Sequence, residues 1–251
     1  VRRDWRETRR GDRRSLSNTG RELLLEWTTY DVEPSVIIES AVVGFAAANC
    51  YLVGCAETLE GVVIDPGTMD TEDTREVADE VRGLGLNIRY ILNTHGHPDH
   101  MSGNDYLKVA VGGEVLIHQL DALKLTDPVR NASRLFGMDM HVSPPDALII
   151  DGDVIPFGKL SLTVAHTPGH SSGGVVFVGD GYVFTGDTLF AGSIGRSDLP
   201  DSSDDGTNAY DILLASIRDK LLTLPDDTVV LPGHGPATTI GRERSSNPFL
   251  G

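Results

Sequence analysis

Cysteine is scarce in this chain, with two residues among 251. Cys50 and Cys55 are an odd number of positions apart in a strand-like stretch, so we expect their side chains on opposite faces of the strand. In that arrangement they can share neither a disulfide nor a metal ion. The spacing favours two buried thiols in a reducing cytoplasm.

Long hydrophobic runs are also missing, because no apolar stretch approaches the ~18 residues that a membrane span requires. We therefore expect a soluble, cytoplasmic protein. Basic residues are few: 21 Lys and Arg stand against 37 Asp and Glu, which gives a formal net charge of −16. Eight of the arginines lie in residues 1–22, so the remainder is still more negative. Such a body repels nucleic-acid backbones and acidic membranes, and the sequence predicts neither as a partner.

The amino-terminal segment is polar and Arg-rich, and it lacks the apolar core of a signal peptide. Interleaved acidic residues also argue against a transit peptide. We predict a disordered extension over residues 1–22, and a basic arm that contacts the acidic body or a partner subunit is the alternative. Residues 23–251 are predicted to form one large domain, because a chain with 39% hydrophobic residues can bury a substantial core.

The domain alternates short apolar runs with helical patterns. Residues 62–65 predict a strand that ends at Pro66-Gly67, Thr71 can cap the following helix, and residues 88–92 predict the next strand. Further strands are predicted at residues 23–28, 36–38, 49–53, 114–118, 147–150, 160–164, 175–178, 182–185 and 229–231, and a second helix at 207–224. This order favours an α/β fold in which two sheets pack together with helices outside them.

The segment His95-Gly96-His97-Pro98-Asp99-His100 places three imidazoles and a carboxylate within six residues, directly after a predicted strand. His95 and His97 point the same way in an extended loop and can bind one ion. Pro98 suits the first turn of a helix, where Asp99 and His100 can reach a second ion. A lone histidine is usually a solvated side chain, but this cluster favours a metal site.

Three later loops also follow predicted strands and carry a glycine beside a histidine or aspartate. Loops on a rigid scaffold bring such side chains together from distant positions. The loops contain Thr167-Pro168-Gly169-His170, Gly186-Asp187 and Pro232-Gly233-His234.

The remaining histidines, His118, His141 and His166, fit no such motif. His166 continues the alternation of the apolar residues before it in the predicted strand at 160–164. We therefore predict that it is buried or supports a ligand rather than binding metal itself.

Taken together, these motifs resemble the metallo-β-lactamase superfamily over about residues 45–249. Within it they are most similar to the glyoxalase II group, whose short bacterial members resemble this chain at Gly195–Pro200 and Thr238–Arg244. The resemblance implies a four-layer αβ/βα sandwich with metals at one edge between the sheets. It assigns the first ion to His95, His97 and His170, the second to Asp99, His100 and His234, and a bridging role to Asp187.

Two divalent ions are therefore expected, with zinc first and iron or manganese as alternatives for a ligand set without thiolate. The resemblance implies hydrolysis of a small-molecule thioester of 2-hydroxyacyl type, similar to S-lactoylglutathione, by a metal-bridged hydroxide. Asp99 is the predicted catalytic residue, placed to orient the hydroxide or to take a proton. A thiolate leaves more readily than an amine, so a site without a further acid suits thioesters or lactones.

The chain departs from the glyoxalase II pattern around the thiol-binding region. Arg196 fits the basic position that contacts glutathione and is the predicted substrate-binding residue, but Asp198 and Pro236 stand where tyrosines are expected. Glutathione specificity is therefore not expected. Two interpretations of Arg196 stay open: it pairs with a substrate carboxylate, or it pairs with Asp198 and holds the loop.

Two other functions remain as alternatives. An iron-dependent persulfide dioxygenase resembles the same motifs, but it uses one iron held by two His and one Asp and carries Asp where Gly235 follows the last histidine. A nuclease of the same superfamily, or a protein that retains metal sites without catalysis, is the third hypothesis. The negative body opposes the nuclease.

Overall fold

The fold is built on two large sheets, as seen in a computed structural model that describes residues 5–10, 25–69, 71–202 and 208–251. Within those ranges the first sheet has eight strands in chain order. They are β1 (Arg6–Arg10), β2 (Trp27–Asp31), β3 (Val36–Val43), β4 (Ala48–Cys55), β5 (Glu60–Ile64), β6 (Asn87–Leu92), β7 (Glu114–His118) and β8 (Ala147–Ile149).

The second sheet collects later strands in a different spatial order. Its members are β9 (Val154–Phe157), β10 (Leu160–His166), β11 (Val175–Val178), β12 (Tyr182–Gly186), β15 (Val229–Pro232) and β16 (Thr238–Thr239), and β13 (Leu189–Phe190) pairs separately with β14 (Ser193–Ile194). The spatial order is β16-β15-β12-β11-β10-β9. Strands β12 and β15 are parallel, as are β5, β6, β7 and β8.

Helices cover the outer faces of both sheets. They are α1 (Thr71–Gly83), α2 (Pro98–Met101), α3 (Asn104–Val111), α4 (Ala209–Ser216) and α5 (Ile240–Ser246), with a π-helical turn at Ile217–Leu221 and 3-10 turns at Ala122–Leu125 and Ser133–Phe136. None of the helices in the described ranges is long and apolar enough to span a membrane.

Three hydrophobic cores separate the resulting four layers. Strand β4 shows why, because its alternate side chains enter different cores: Tyr51 packs between the sheets, and Leu52 packs toward α1 and α3. The third core joins Val183 and Val230 of the second sheet to Leu213 of α4. The predicted αβ/βα sandwich is therefore confirmed.

The parallel strands explain where the candidate site lies. The carboxyl ends of β5 and β6 meet at one edge of the first sheet, and those of β12 and β15 meet at one edge of the second. Residues that follow parallel strands are therefore delivered to a common edge.

Several sequence-based expectations differ from the structure. The extension predicted to be disordered over residues 1–22 contains strand β1, whose backbone pairs with β2, so that prediction is wrong for residues 6–10. Residues 1–4 and 11–22 lie outside the described part. Thr71 is the first residue of α1 rather than its cap, and Thr207 lies outside the described residues before α4.

The cysteine prediction agrees with the structure. Cys50 and Cys55 are both buried on β4, and neither forms a disulfide. The two residues are five positions apart on one strand, so their side chains point to opposite faces and the thiols do not come together.

Candidate metal centre

The histidine-rich segment links strand β6 to helix α2. His97 keeps an extended backbone, with φ −78° and ψ 153°, and the helix begins at Pro98, where a missing N–H costs nothing. Asp99 and His100 therefore rise from the first turn of the helix. The side-chain amide of Asn93 donates to the backbone oxygen of His100 at 3.1 Å and ties the strand end to the helix.

Three imidazoles form the first cluster. Nε2 of His170 lies 3.0 Å from Nδ1 of His97 and 3.2 Å from Nε2 of His95. Nitrogens bound at 2.0–2.1 Å to one tetrahedral zinc are about 3.3 Å apart. The two measured distances are close to that spacing, and all three ligand atoms lie within 4.8 Å of one another.

The second cluster joins the first turn of α2 to the loop after β15. Nε2 of His234 lies 3.2 Å from Oδ2 of Asp99, and Nε2 of His100 lies 3.6 Å from the same oxygen. Ligand atoms of these three residues all lie within 4.8 Å of one another. They can meet around a second ion.

Asp187 stands between the clusters. Its Oδ2 is 3.5 Å from Nε2 of His170 and 3.6 Å from Nε2 of His234, and its Oδ1 is 3.4 Å from Nε2 of His100. A side chain on Gly233 would place Cβ 2.3 Å from Asp187 Oδ1, so glycine is needed where the last loop passes the carboxylate. Asp187 therefore lies within 3.6 Å of histidines from both clusters, and its role as a bridge stays a prediction.

Buried polar atoms show that the residues present fit a cation. Among the described residues, His100 Nε2 and Asp187 Oδ1 are buried without a hydrogen-bond partner. His100 donates from Nδ1 to Asp65 Oδ2 at 3.0 Å, so in the neutral ring Nε2 turns a lone pair toward the carboxylates of Asp99 and Asp187. Acceptors that face one another repel unless positive charge lies between them.

The first cluster favours neutral imidazoles. Burial, reinforced by repulsion from the neighbouring histidines, holds the pKa values of His95 and His97 well below their usual range. Burial also lowers the pKa of His170. These rings therefore keep the lone pairs that a metal ion needs.

The second cluster has the opposite electrostatics. Burial opposes the charged form of His100, but the carboxylates of Asp187 and Asp99 outweigh that effect and raise its pKa to about 10. Burial likewise opposes the charged form of His234, and the hydrogen bond to Asp99 overcomes it and raises the pKa. The carboxylates therefore stabilise positive charge at this position, and a divalent ion would supply it.

Asp65 orients a ligand in each cluster. Its carboxylate accepts from His100 Nδ1 and from the hydroxyl of Thr94, at 3.0 and 2.7 Å. Because that hydroxyl has one proton and gives it to Asp65, it must accept from His95 Nδ1, which lies 3.1 Å away. His95 is thereby left with an unprotonated Nε2 that faces the cluster.

A buried ion pair holds together the two loops that carry the first cluster. Asp121 accepts from the backbone N–H groups of Gly96 and Gly173, each at 2.8 Å, and from the Ser171 hydroxyl. Nζ of Lys124 lies 3.2 Å from Asp121 and donates to the Ser171 hydroxyl at 2.5 Å. Both charged side chains are almost fully buried.

Strand β4 anchors the loop of His234. The side-chain amide of Asn49 and the phenol of Tyr51 both donate to the backbone oxygen of Pro232, at 2.8 and 2.7 Å. His234 donates from Nδ1 to the Ala47 oxygen at 3.2 Å. The ring is therefore held with Nε2 toward the carboxylates.

The histidines outside the motifs take other positions. His118 and His166 stack, with ring centroids 4.3 Å apart and planes 13° from parallel. His166 is half-buried, and its Nε2 donates to the backbone oxygen of Ser172 in the loop that follows His170. Neither these two nor His141 joins the groups of ligand atoms found among the described residues.

A cavity of about 230 Å³ opens beside both clusters and is bordered by His97, Asp99 and His234. Arg196 also lines it, but its Nε and Nη2 donate to the two carboxylate oxygens of Asp198 at 2.7 and 2.9 Å. Of the two interpretations left open, the structure contains the pair that holds the loop. Contact between Arg196 and a substrate stays a prediction.

Sequence reasoning missed Asp65, Asp121 and Lys124. Asp65 directly follows strand β5, as the predicted ligands follow their strands, and that position was the available signal, although the sequence predicts only the last residue of a strand there. Asp121 directly precedes the 3-10 turn at Ala122–Leu125 and Lys124 lies within it, and no motif marks either residue in the sequence.

Comparison with known proteins gives a matching family and several similar chains. The family described as the metallo-beta-lactamase superfamily matches residues 43–234. An uncharacterized protein of Mycobacterium tuberculosis is 40% identical over 220 residues, which cover 82% of this chain and 94% of the relative. The hydroxyacylglutathione hydrolase GloC of Haemophilus influenzae is 34% identical over 206 residues, covering 80% and 92%.

Solved structures give the same result. The BLEG-1 B3 metallo-beta-lactamase has a TM-score of 0.76 and 35% identity, covering 85% of this chain and 99% of that one. TTHA1623, solved in a di-iron-bound form, has a TM-score of 0.68 and 38% identity, covering 84% and 99%.

Proposed function

The chain belongs to the metallo-beta-lactamase superfamily, and from this membership and the geometry of its clusters we propose that it hydrolyses thioesters with two divalent metal ions. Membership implies a metal-dependent hydrolase. The proposal adds the number of ions, the bond cleaved and an acyl group of 2-hydroxy type. It also places the protein in the cytoplasm, acting on a small molecule rather than on nucleic acid or membrane.

The observation that carries the proposal is the environment of His100. Its Nε2 is buried, has no hydrogen-bond partner and lies 3.4–3.6 Å from carboxylate oxygens of Asp187 and Asp99. The three-histidine cluster lies on the other side of Asp187 and can hold a separate ion. Two ligand groups that share one carboxylate are the arrangement expected for a pair of ions.

The residues divide between the ions as the geometry suggests. His95, His97 and His170 would hold the first, Asp99, His100 and His234 the second, and Asp187 both. Zinc suits this set, and the di-iron form of TTHA1623 supports iron as an alternative. When bound, two such ions lower the pKa of a shared water toward ~7 and polarise a carbonyl group.

Asp99 is the protein group placed to handle the attacking water. It borders the cavity, and its Oδ2 lies 3.2 Å from His234. Burial alone would raise its pKa, but His100 and His234 outweigh burial and hold the pKa well below the usual range. The carboxylate therefore stays ionised and can orient the attacking water by accepting a hydrogen bond from it.

The cavity lining favours a substrate whose leaving group departs without first taking up a proton. Apart from the candidate ligands, Arg196 is the one ionisable group among the described lining residues, and Asp198 binds its guanidinium. A thiolate needs no proton to leave, whereas an amine does. The similarity to a hydroxyacylglutathione hydrolase supports thioesters and a 2-hydroxyacyl group.

The test compares lactoyl derivatives that differ only in the bond to be cleaved. We expect kcat/KM on the thioester of N-acetylcysteamine to exceed that on the matching amide by ~10²-fold or more. Chelation should abolish the activity, and zinc should restore it. Equal rates on the thioester and the amide would contradict the proposal.

One further observation favours a second function. His95, His100 and Asp187 form a group of two histidines and one carboxylate. Such sets also occur in non-haem iron oxygenases, as the persulfide dioxygenase alternative requires. One iron per chain, with oxygen consumed on adding glutathione persulfide, would select this function.

A further inference from the structure

The cavity wall away from the clusters is apolar. Phe45 and Ala46 come from the turn between β3 and β4, while Phe136 and Met138 come from the segment between β7 and β8. The two phenylalanines are 66% and 58% exposed, although they come from segments far apart in the chain. Exposed aromatic side chains that converge on one cavity indicate a surface for a ligand.

Charge at the cavity mouth is balanced. Three arginines lie on or beside the lining segments, and in the described part of the chain each has a carboxylate partner. The pairs are Arg196 with Asp198, Arg130 with Asp201, and Arg134 with Asp139. These exposed pairs contribute little to stability, but they leave no excess positive charge to attract an anionic substrate.

From this wall and this charge balance we infer that the substrate carries an apolar, uncharged group next to its thioester. The inference rests on the proposed function and names the substrate class for the same site. The cavity has a volume of about 230 Å³, which is room for several non-hydrogen atoms of a ligand. A medium acyl chain or an aromatic ring fills that space.

Glutathione is the contrasting case. Its thiol part carries two carboxylates and one ammonium group, none of which finds an unpaired charge on the described lining. Transferring charged groups to an apolar wall is unfavourable. Contact of the phenyl rings of Phe45 and Phe136 with methylene or aromatic carbon is instead favourable, because it removes apolar surface from water.

The experiment uses two substrate series on the metal-loaded protein. In the first, N-acetylcysteamine carries acetyl, butyryl, hexanoyl or succinyl groups. In the second, the acetyl group is kept while the thiol grows from a short to a longer alkyl chain. Each buried methylene is expected to raise kcat/KM about three- to fourfold, mainly through KM. The series that shows the gain identifies which side of the thioester lies on the wall.

The expected result is at least tenfold higher kcat/KM for hexanoyl than for acetyl, or the same gain in the thiol series. The succinyl ester has the chain length of the butyryl ester but a carboxylate in place of the terminal methyl group. Its kcat/KM should be lower than that of the butyryl ester. Flat profiles in both series, or a hundredfold preference for lactoylglutathione over lactoyl-N-acetylcysteamine, would overturn the inference while leaving thioester hydrolysis standing. Absence of hydrolysis throughout would overturn both proposals.

Variants test whether the rise of kcat/KM with chain length comes from contact with the apolar wall. Phe136→Ala and Phe45→Ala should each reduce the gain with chain length several-fold, and Phe136→Leu should recover part of it. Leu135→Ala is the matched control, because Leu135 is 65% exposed beside Phe136 but does not line the cavity. Equal losses in Leu135→Ala and Phe136→Ala would also overturn the inference.

Discussion

Asp99 is the residue on which the proposed chemistry depends most directly. Asp99→Asn keeps the size of the side chain but removes the charge that faces His100 and His234. We expect an intact fold and a loss of ~10²-fold or more in turnover, because a metal ligand and the group that orients the attacking water disappear together. Steady-state kinetics and circular dichroism measure the two effects.

A matched control is Asp79→Asn on the exposed face of α1, where Asp79 pairs with Arg82. An exposed pair contributes little, so activity should stay near that of the unchanged protein. Near-normal turnover of Asp99→Asn with both ions bound would exclude the role assigned to Asp99.

Asp65 gives a second prediction at the scale of single residues. Its φ is +52°, a conformation that asparagine tolerates well, so Asp65→Asn should preserve the turn. The carboxylate that accepts from His100 and Thr94 is lost, and we expect metal affinity to fall ~10–100-fold. Chelator competition measures the affinity, and an unchanged dissociation constant would disprove the orienting role.

These residues show what could be predicted from the sequence. The candidate ligands stand in short local motifs that can be read without knowing the fold. Asp65 acts through a partner 35 positions away, so its role appears only when β5 and β6 lie side by side. For Arg196 the sequence allowed two partners, and only the folded loop shows the fork with Asp198.

At the scale of elements, the first cluster depends on two loops that the Asp121–Lys124 pair joins. Lys124→Met removes the cation and leaves Asp121 charged and buried. Breaking a buried pair in this way costs roughly 3–5 kcal/mol. Urea unfolding should show a loss of this size, and affinity for the first ion should fall as the loops separate.

The double variant Asp121→Asn/Lys124→Met tests whether the stability lost in Lys124→Met comes from the unpaired charge of Asp121. Removing both charges should recover part of the stability lost in Lys124→Met, because no unpaired charge remains buried. Additive losses in the double variant would show that the two side chains act independently.

The same scale shows where prediction of secondary structure failed. Strand β9 contains Pro156, which argues against a strand, yet β9 lies at the edge of its sheet, where a missing N–H is tolerated. The predicted second helix is present, but its last part is a π-helical turn at Ile217–Leu221. Ile217 and Leu221 still pack into the third core with Leu213. Apolar spacing predicted the buried face but not the change in hydrogen bonding.

At the scale of the whole molecule, two sheets bring their strand ends to one edge, and four separate loops meet there. The seven candidate ligands span residues 95 to 234, so the centre exists only when both halves are packed. A net charge of −16 favours the approach of cations and disfavours anions. The fold, the charge and the clusters all favour a site that concentrates positive metal ions.

The number of ions bound by active protein tests the central claim most directly. Metal-free protein is titrated with zinc while bound metal and thioester hydrolysis are followed together. The account predicts two ions per chain, full activity only when both are bound, and loss of one ion in His234→Ala. A single ion per chain at full hydrolytic activity, with no change in stoichiometry in His234→Ala, would contradict it.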